Sequence, residues 1–156
     1  YDNLVIINAF TKFYAMAGLR LGYLMTGDLS LLHAVAQQLP EWNVSSIAQR
    51  AGISALKDTE YEKRTRQLIE KERRYLIQEF LKMGCTVFPS EADYITFRLP
   101  QEKTGFLLKE RLLEGKILIR SCANYRNMPP DCYRIAVKQH ADNEELVRQV
   151  WRILIQ

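Results

Sequence analysis

Five side chains in this sequence have types and spacings that could do chemistry together: Thr11, Lys12, Arg20, Arg120 and Arg134. Lys12 follows a strand-like apolar run, Leu-Val-Ile-Ile at 4–7. At the carboxyl end of a buried strand, where open α/β sheets place ligands, an amine can lose part of its hydration. Desolvation disfavours the ammonium form and leaves a nucleophilic amine at neutral pH, which is what attack on an aldehyde requires. A lysine that merely snorkels from a strand end is the bland alternative. Thr11 adds a hydroxyl beside it, and Arg20 stands between Gly18 and Gly22, residues that let backbone and ligand approach closely. A hydroxyl and a guanidinium converging near one amine form an anion pocket, because arginine presents a rigid fork of donors to phosphate. Far downstream, ILIRSCANY (117–125) and CYRIAVK (132–138) each carry one arginine among alternating apolar residues. A half-buried arginine needs an anionic partner, either a structural carboxylate or a ligand.

These side chains need elements to hold them. The run 4–7 reads as a strand buried on both faces, typical of a parallel sheet. A second strand is expected over 19–25, then a turn at Gly27-Asp28, with Asp28 capping a helix over 29–39 that Pro40 stops. Two strands and one helix cannot cover both faces of a parallel sheet, so the chain is expected to be the C-terminal portion of something longer. Trp42 to Ser46 reads as a loop into a helix that breaks near Gly52 and resumes over 59–83, with Gly84 as its stop. Short strands follow at 86–89 and 94–99 around a turn at 90–93. Thr104 is expected to cap a helix reaching Glu114 and ended by Gly115. Strands 117–121 and 133–137 flank a long loop. Asp142 is expected to cap a last amphipathic helix that turns Leu146, Val147, Val150, Trp151 and Leu154 inward. From Gly84 onward the pattern is a compact α+β unit of four short strands with helices on one face.

Composition narrows the partners. The 156 residues are 47% hydrophobic, enough for a real core. No apolar run approaches the ~20 residues of a membrane-spanning helix, and no signal-peptide pattern opens the chain. A net charge of +4 and a pI near 9.0 raise nucleic acid as a partner. The densest charged stretch, 57–82, mixes both signs and keeps Ile69, Leu76, Phe80 and Met83 at helical spacing, so it reads as the solvated face of a long amphipathic helix. Neither nucleic acid nor membrane is the expected partner; the surplus positive charge suits anionic small molecules. Cys85, Cys122 and Cys132 lack metal-ligand spacing and read as buried thiols of a reducing cytosol, with no metal site.

An amine beside a phosphate clamp is the donor set of a pyridoxal phosphate (PLP) site. The segment AFTKFYAMAGLRLGY (9–23) resembles the lysine segment of the class I/II, fold-type I aminotransferase superfamily, where a hydroxyl residue precedes the lysine and an arginine follows eight residues on. The resemblance implies that Lys12 anchors the cofactor covalently and shuttles protons, with Thr11 and Arg20 on its phosphate. Where the superfamily usually has a serine three residues before the lysine, this chain has Ala9, so one phosphate hydrogen bond is missing. The YRIAV strand is similar to the superfamily's clamp for the substrate α-carboxylate, which assigns that role to Arg134. Within the superfamily, FTKFYA with GLRLGY, the W-x-V of Trp42 to Val44, and ILIRSCAN look most like the threonine-phosphate decarboxylases of cobalamin synthesis, with histidinol-phosphate aminotransferases next. Both act on phosphorylated amino compounds, so the resemblance implies that Arg120 reaches the distal phosphate.

The same resemblance implies an α/β cofactor-binding large domain whose end is residues 1–52, and an α+β small domain over 53–156. It also implies a cytoplasmic homodimer. The superfamily takes its pyridine-nitrogen aspartate and its stacking aromatic from segments ahead of the lysine. The 156 residues alone are therefore expected to bind PLP weakly and not to turn over. A noncatalytic α+β module that keeps the Lys12 segment as scaffold is the reading from a different class.

Overall fold

The computed structural model describes residues 1, 3–103 and 107–155. The chain divides into two compact units, Tyr1–Thr65 and Arg66–Gln156.

In the first unit, strands β1 (Val5–Ala9) and β2 (Gly22–Thr26) pair antiparallel, from Val5 opposite Thr26 to Ala9 opposite Gly22. The expectation of a strand buried within a parallel sheet is corrected here. A parallel return needs a crossover of a dozen or more residues, usually built on a helix. The link from residue 10 to 21 holds only a 3-10 turn at Ala17–Leu19, so the chain comes back antiparallel. All five β1 residues are exposed, Ile7 to 78%.

Helix α1 (Leu29–Gln38) is capped as expected: the Asp28 carboxylate accepts from Leu31 N–H at 3.0 Å. Helix α2 (Ser46–Lys57) is capped by Ser45 Oγ, which accepts from Ala48 N–H, and it runs unbroken through Gly52. The predicted break at Gly52 is wrong for a packing reason. Gly52 is buried, and a Cβ there would meet Leu21 Cδ2 at 2.5 Å. It is glycine because Leu21 packs on the helix, not because the helix ends. The break falls at Asp58, whose carboxylate accepts from Tyr61 N–H at 2.9 Å and starts α3 (Thr59–Lys82).

The second unit holds a four-stranded antiparallel sheet in the order β3-β4-β6-β5: β3 (Thr86–Val87), β4 (Tyr94–Arg98), β5 (Arg120–Ser121) and β6 (Cys132–Ala136). Strand β5 is shorter than the expected 117–121, because Ile117 N–H turns back to Leu112 O. Gly84 ends α3 at φ +77°, in the left-handed region that favours glycine. Ser90 Oγ donates to Tyr94 O and accepts from Ala92 N–H, which builds the 90–93 turn. Helix α4 (Leu108–Glu114) ends at Gly115; the Thr104 cap lies outside the described residues. Helix α5 (His140–Ile155) begins before Asp142, which sits in its first turn and is not its cap.

One face of the sheet carries Ile95, Phe97, Tyr133 and Ile135, which pack with Leu76 and Phe80 of α3, Leu108 and Leu112 of α4, and Leu146, Val147, Val150 and Leu154 of α5. Burying each such side chain stabilises by about 1.5–3 kcal/mol. The Phe80 and Phe97 rings meet at 4.3 Å. Trp151 packs on the same core, only partly buried. All three cysteines are free and buried, and burial pushes the Cys85 thiol up to about 12. Among the described residues no helix is long and apolar enough to cross a membrane.

One turn before Leu76 on α3 sits a buried carboxylate. Glu72 of α3 is 1% exposed, and its Oε2 accepts from Asn143 Nδ2 and lies against His140 Nδ1, both at 3.0 Å. Asn143 also bridges to both the N–H and the C=O of Lys138, so the entry to α5 is tied to α3. Burial works against the ionised carboxyl, but the hydrogen bonds from Asn143 and His140 outweigh it and hold Glu72 below its ordinary range. A carboxyl lowered by folding contributes stability above its unfolded pKa and loses it as pH falls through the folded one. Glu72→Gln is expected to cost about 1–3 kcal/mol at neutral pH, and the gap to wild type is expected to close in acid. Urea midpoints at pH 7 and pH 3 check this; a gap of equal size at both would show that the charge of Glu72 is not what counts.

Candidate functional site

Lys12 lies in the connection between β1 and β2. Phe10 N–H donates to Leu21 O at 3.0 Å, Ala15 N–H to Lys12 O at 2.9 Å and Met16 N–H to Phe10 O at 3.2 Å. Lys12 thus begins a tight turn closed on itself. Aromatic side chains brace it: Phe10 is buried and stacks on Tyr14 at 4.9 Å, Tyr14 stacks on Tyr61 at 6.1 Å, and Tyr61 Oη donates to Phe13 O at 2.9 Å. Ala15 (φ 54°) and Arg20 (φ 53°) are both left-handed, a conformation that costs a non-glycine residue and that its surroundings must impose. Immediately beyond Arg20, a Cβ on Gly22 would lie 2.9 Å from Asn8 O, so only glycine lets β1 and β2 close at this point.

Within this frame Lys12 is exposed, Thr11 is half-buried and Arg20 is exposed. Arg20 Nη1 donates to Ala17 O at 3.3 Å. Among the described residues neither Lys12 nor Arg20 is paired with a carboxylate. An amine, a hydroxyl and a guanidinium on one braced connection, with no internal anion to neutralise them, fit an aldehyde cofactor carrying a phosphate. Ala9 contributes no hydroxyl; its N–H donates to Asn8 Oδ1 at 2.7 Å. Lys12 has an exposed side chain, so the desolvation its strand-end position suggested is not supplied by its own turn.

The two downstream arginines are brought together. Arg120 on β5 stands directly opposite Arg134 on β6, and Thr96 of β4 flanks Arg134 on the other side. Two residues along, Cys122 N–H donates to Cys132 O at 2.9 Å, which makes these hydrogen-bonded pairs with Cα atoms about 5.5 Å apart. Like charges directly opposite each other are destabilising. No carboxylate relieves them: among the described residues neither arginine is in an ion pair, and the one acidic residue of the 122–131 loop, Asp131, is already bound to Arg98 Nε at 2.8 Å. Burial raises the pKa of the Cys122 thiol, while Arg134 and Arg120 pull it back, a mark of the positive field here.

Aromatic rings and an amide, not acids, surround the pair. Arg134 Cζ lies over the Tyr94 ring at 4.7 Å, Arg120 Cζ lies 5.7 Å from the Tyr125 ring, and Arg120 Nη2 donates to Asn124 Oδ1 at 3.3 Å. Tyr94, Asn124 and Tyr125 were not singled out from sequence. The alternation in YITFR puts Tyr94 and Thr96 on the face away from Ile95 and Phe97, but only the strand register sets Tyr94 against Arg134. The Lys12 group belongs to the first unit and the arginine pair to the second.

The profile of the family "Aminotransferase class I and II" matches residues 1–150. A threonine-phosphate decarboxylase from Salmonella typhimurium is 35% identical over 150 residues, covering 96% of this chain and 41% of that protein. A histidinol-phosphate aminotransferase from Oleidesulfovibrio alaskensis is 32% identical over 156 residues, covering 99% of this chain and 40% of that one. In structure, the histidinol-phosphate aminotransferase from Clostridium acetobutylicum superposes with a TM-score of 0.93 at 33% identity, covering 99% of this chain and 47% of that chain. The chain thus spans about 40% of the length of the curated relatives it matches. With the profile match and these identities following on the lysine turn and the arginine pair, the chain belongs to the class I and II aminotransferase family.

Proposed function

We propose that these residues form part of a PLP-dependent enzyme acting on a phosphorylated amino acid, and that the reaction is the decarboxylation of threonine phosphate. The observation that carries the reading is the unneutralised pair Arg120–Arg134, two guanidinium groups on adjacent strands with no carboxylate between them. A small substrate with a carboxylate at one end and a phosphate at the other supplies two anions to such a pair. Arg134 binds the α-carboxylate through bidentate hydrogen bonds and Arg120 takes the phosphate. Residues 1–52 then serve as the end of the cofactor-binding domain and residues 53–156 as the small domain, in a cytoplasmic homodimer.

PLP, when bound, supplies the aldehyde that receives the amine and a ring that accepts electrons. Arg20 and Thr11 hold its phosphate by donated hydrogen bonds, and Lys12 Nζ is the point of covalent attachment. The remaining chemistry of this chain is proton transfer at Lys12 Nζ and orientation at Arg134. If Arg134 aligns the carboxylate for loss as carbon dioxide, Lys12 returns a proton to the α-carbon. If the α-hydrogen is aligned instead, Lys12 Nζ removes it and amino transfer follows. Transamination of histidinol phosphate is the second reading, favoured by the 0.93 superposition on such an enzyme.

Products separate the two. With the full-length protein, the first reading expects threonine phosphate to give carbon dioxide and an aminopropanol phosphate; a keto product made from histidinol phosphate, with turnover only when an amino acceptor is present, supports the second. Borohydride reduction of the PLP-loaded protein is expected to leave the cofactor on the peptide containing Lys12, and Lys12→Ala to abolish both label and turnover. An unlabelled Lys12 would favour a noncatalytic module. Arg120→Glu places a carboxylate opposite Arg134, and a cross-strand pair of opposite charge contributes about 0.2–1 kcal/mol. This variant is expected to melt higher while its KM for the phosphorylated substrate rises at least tenfold, of the order expected when a charged contact of roughly 1.4 kcal/mol or more is lost. A stabilised variant with an unchanged KM would remove Arg120 from the substrate.

A further inference from the structure

We infer that Tyr94 is a positioning residue for anion recognition by Arg134. The inference rests on the reading of Arg134 as an anion clamp and asks what holds that clamp in place. Arg134 is half-buried, directly opposite a second arginine, and without a carboxylate among the described residues. The Tyr94 ring lies under its Cζ at 4.7 Å. Tyr94 pairs with Ala136 and Thr96 pairs with Arg134, so the tyrosine stands on the diagonal next to the arginine, within reach of a long side chain.

The contact has three consequences. The negative face of the ring attracts the guanidinium and offsets the repulsion from Arg120 on the opposite side. Attraction to a ring face occupies none of the five N–H donors, so the fork stays free for a planar anion. Tyr94 is itself fixed: its backbone C=O accepts from Ser90 Oγ at 2.6 Å, and it sits on the strand whose Ile95 and Phe97 are fully buried. The backbone that carries the ring is therefore held in place. An arginine held in its binding pose loses less freedom when the anion arrives.

The test uses the full-length, PLP-loaded protein and compares Tyr94→Leu, Tyr94→Thr, Tyr94→Phe and Arg134→Gln. Two quantities are read: the calorimetric affinity for acetate, a simple carboxylate, and the separate kcat and KM for the phosphorylated substrate. Tyr94→Leu and Tyr94→Thr are expected to weaken acetate binding and raise KM by about three- to tenfold, the range of an exposed-to-desolvated cation–π contact, and to raise KM by more than they lower kcat. Tyr94→Phe keeps the ring and is expected to match wild type, a rescue that a merely structural role for the hydroxyl would not give. In the Arg134→Gln background, removal of the ring is expected to add nothing. Wild-type affinity and KM in both Tyr94→Leu and Tyr94→Thr would overturn the inference, as would a Tyr94→Phe variant as impaired as they are. If Arg134→Gln itself leaves acetate affinity and KM unchanged, the clamp reading fails, and the role of Tyr94 fails with it. If Arg134→Gln is impaired and the Tyr94 variants are not, only the role of Tyr94 fails.

Discussion

The register of β6 between its two neighbours is the constraint on which the second unit depends. β6 is central, paired with β4 on one side and β5 on the other. Because side chains alternate along a strand, a slip of one residue would exchange its two faces. In the observed register Tyr133 and Ile135 enter the core, and Cys132 and Arg134 face the other way. That single choice fixes the arginine pair. The burial of Ile95, Phe97, Tyr133 and Ile135 under three helices makes the register costly to change, and the two arginines are held together by a core neither of them enters.

Two kinds of polar group are handled oppositely around this sheet. On α3, Glu72 is buried and its Oε2 receives Asn143 and sits against His140, so that oxygen is answered from inside the protein, while Oε1 has no hydrogen-bond partner among the described residues. On the far side, Arg120 and Arg134 are left without an acid while the neighbouring Asp131 goes to Arg98. A protein built only for stability would place a carboxylate opposite an arginine. Glu72 thus has polar partners within the protein, while the two arginines have no carboxylate partner among the described residues.

The Lys12 turn is held by a different means. Its backbone closes on itself, and aromatic rings brace both sides, while Ala15 and Arg20 occupy the left-handed region. Braced backbone of this kind fixes where a side chain starts without burying its tip.

Much of this was legible in sequence. The lysine segment, the helix cap at Asp28, the stop at Gly84 and the inward face of α5 follow from local rules of spacing, capping and backbone freedom, and so did the four short strands. Gly52 was misread because sequence does not distinguish a glycine that ends a helix from one on which another side chain packs; Leu21, 31 residues away, decides it. The 4–7 run was misread because apolar content alone does not tell an exposed hairpin strand from a buried parallel one. The sequence by itself determined which side chains are candidates for chemistry, since side-chain type and spacing are local properties. Only the tertiary structure decided that Arg120 faces Arg134 and that Tyr94 supports it, because strand register is set by what the core buries across the whole sheet.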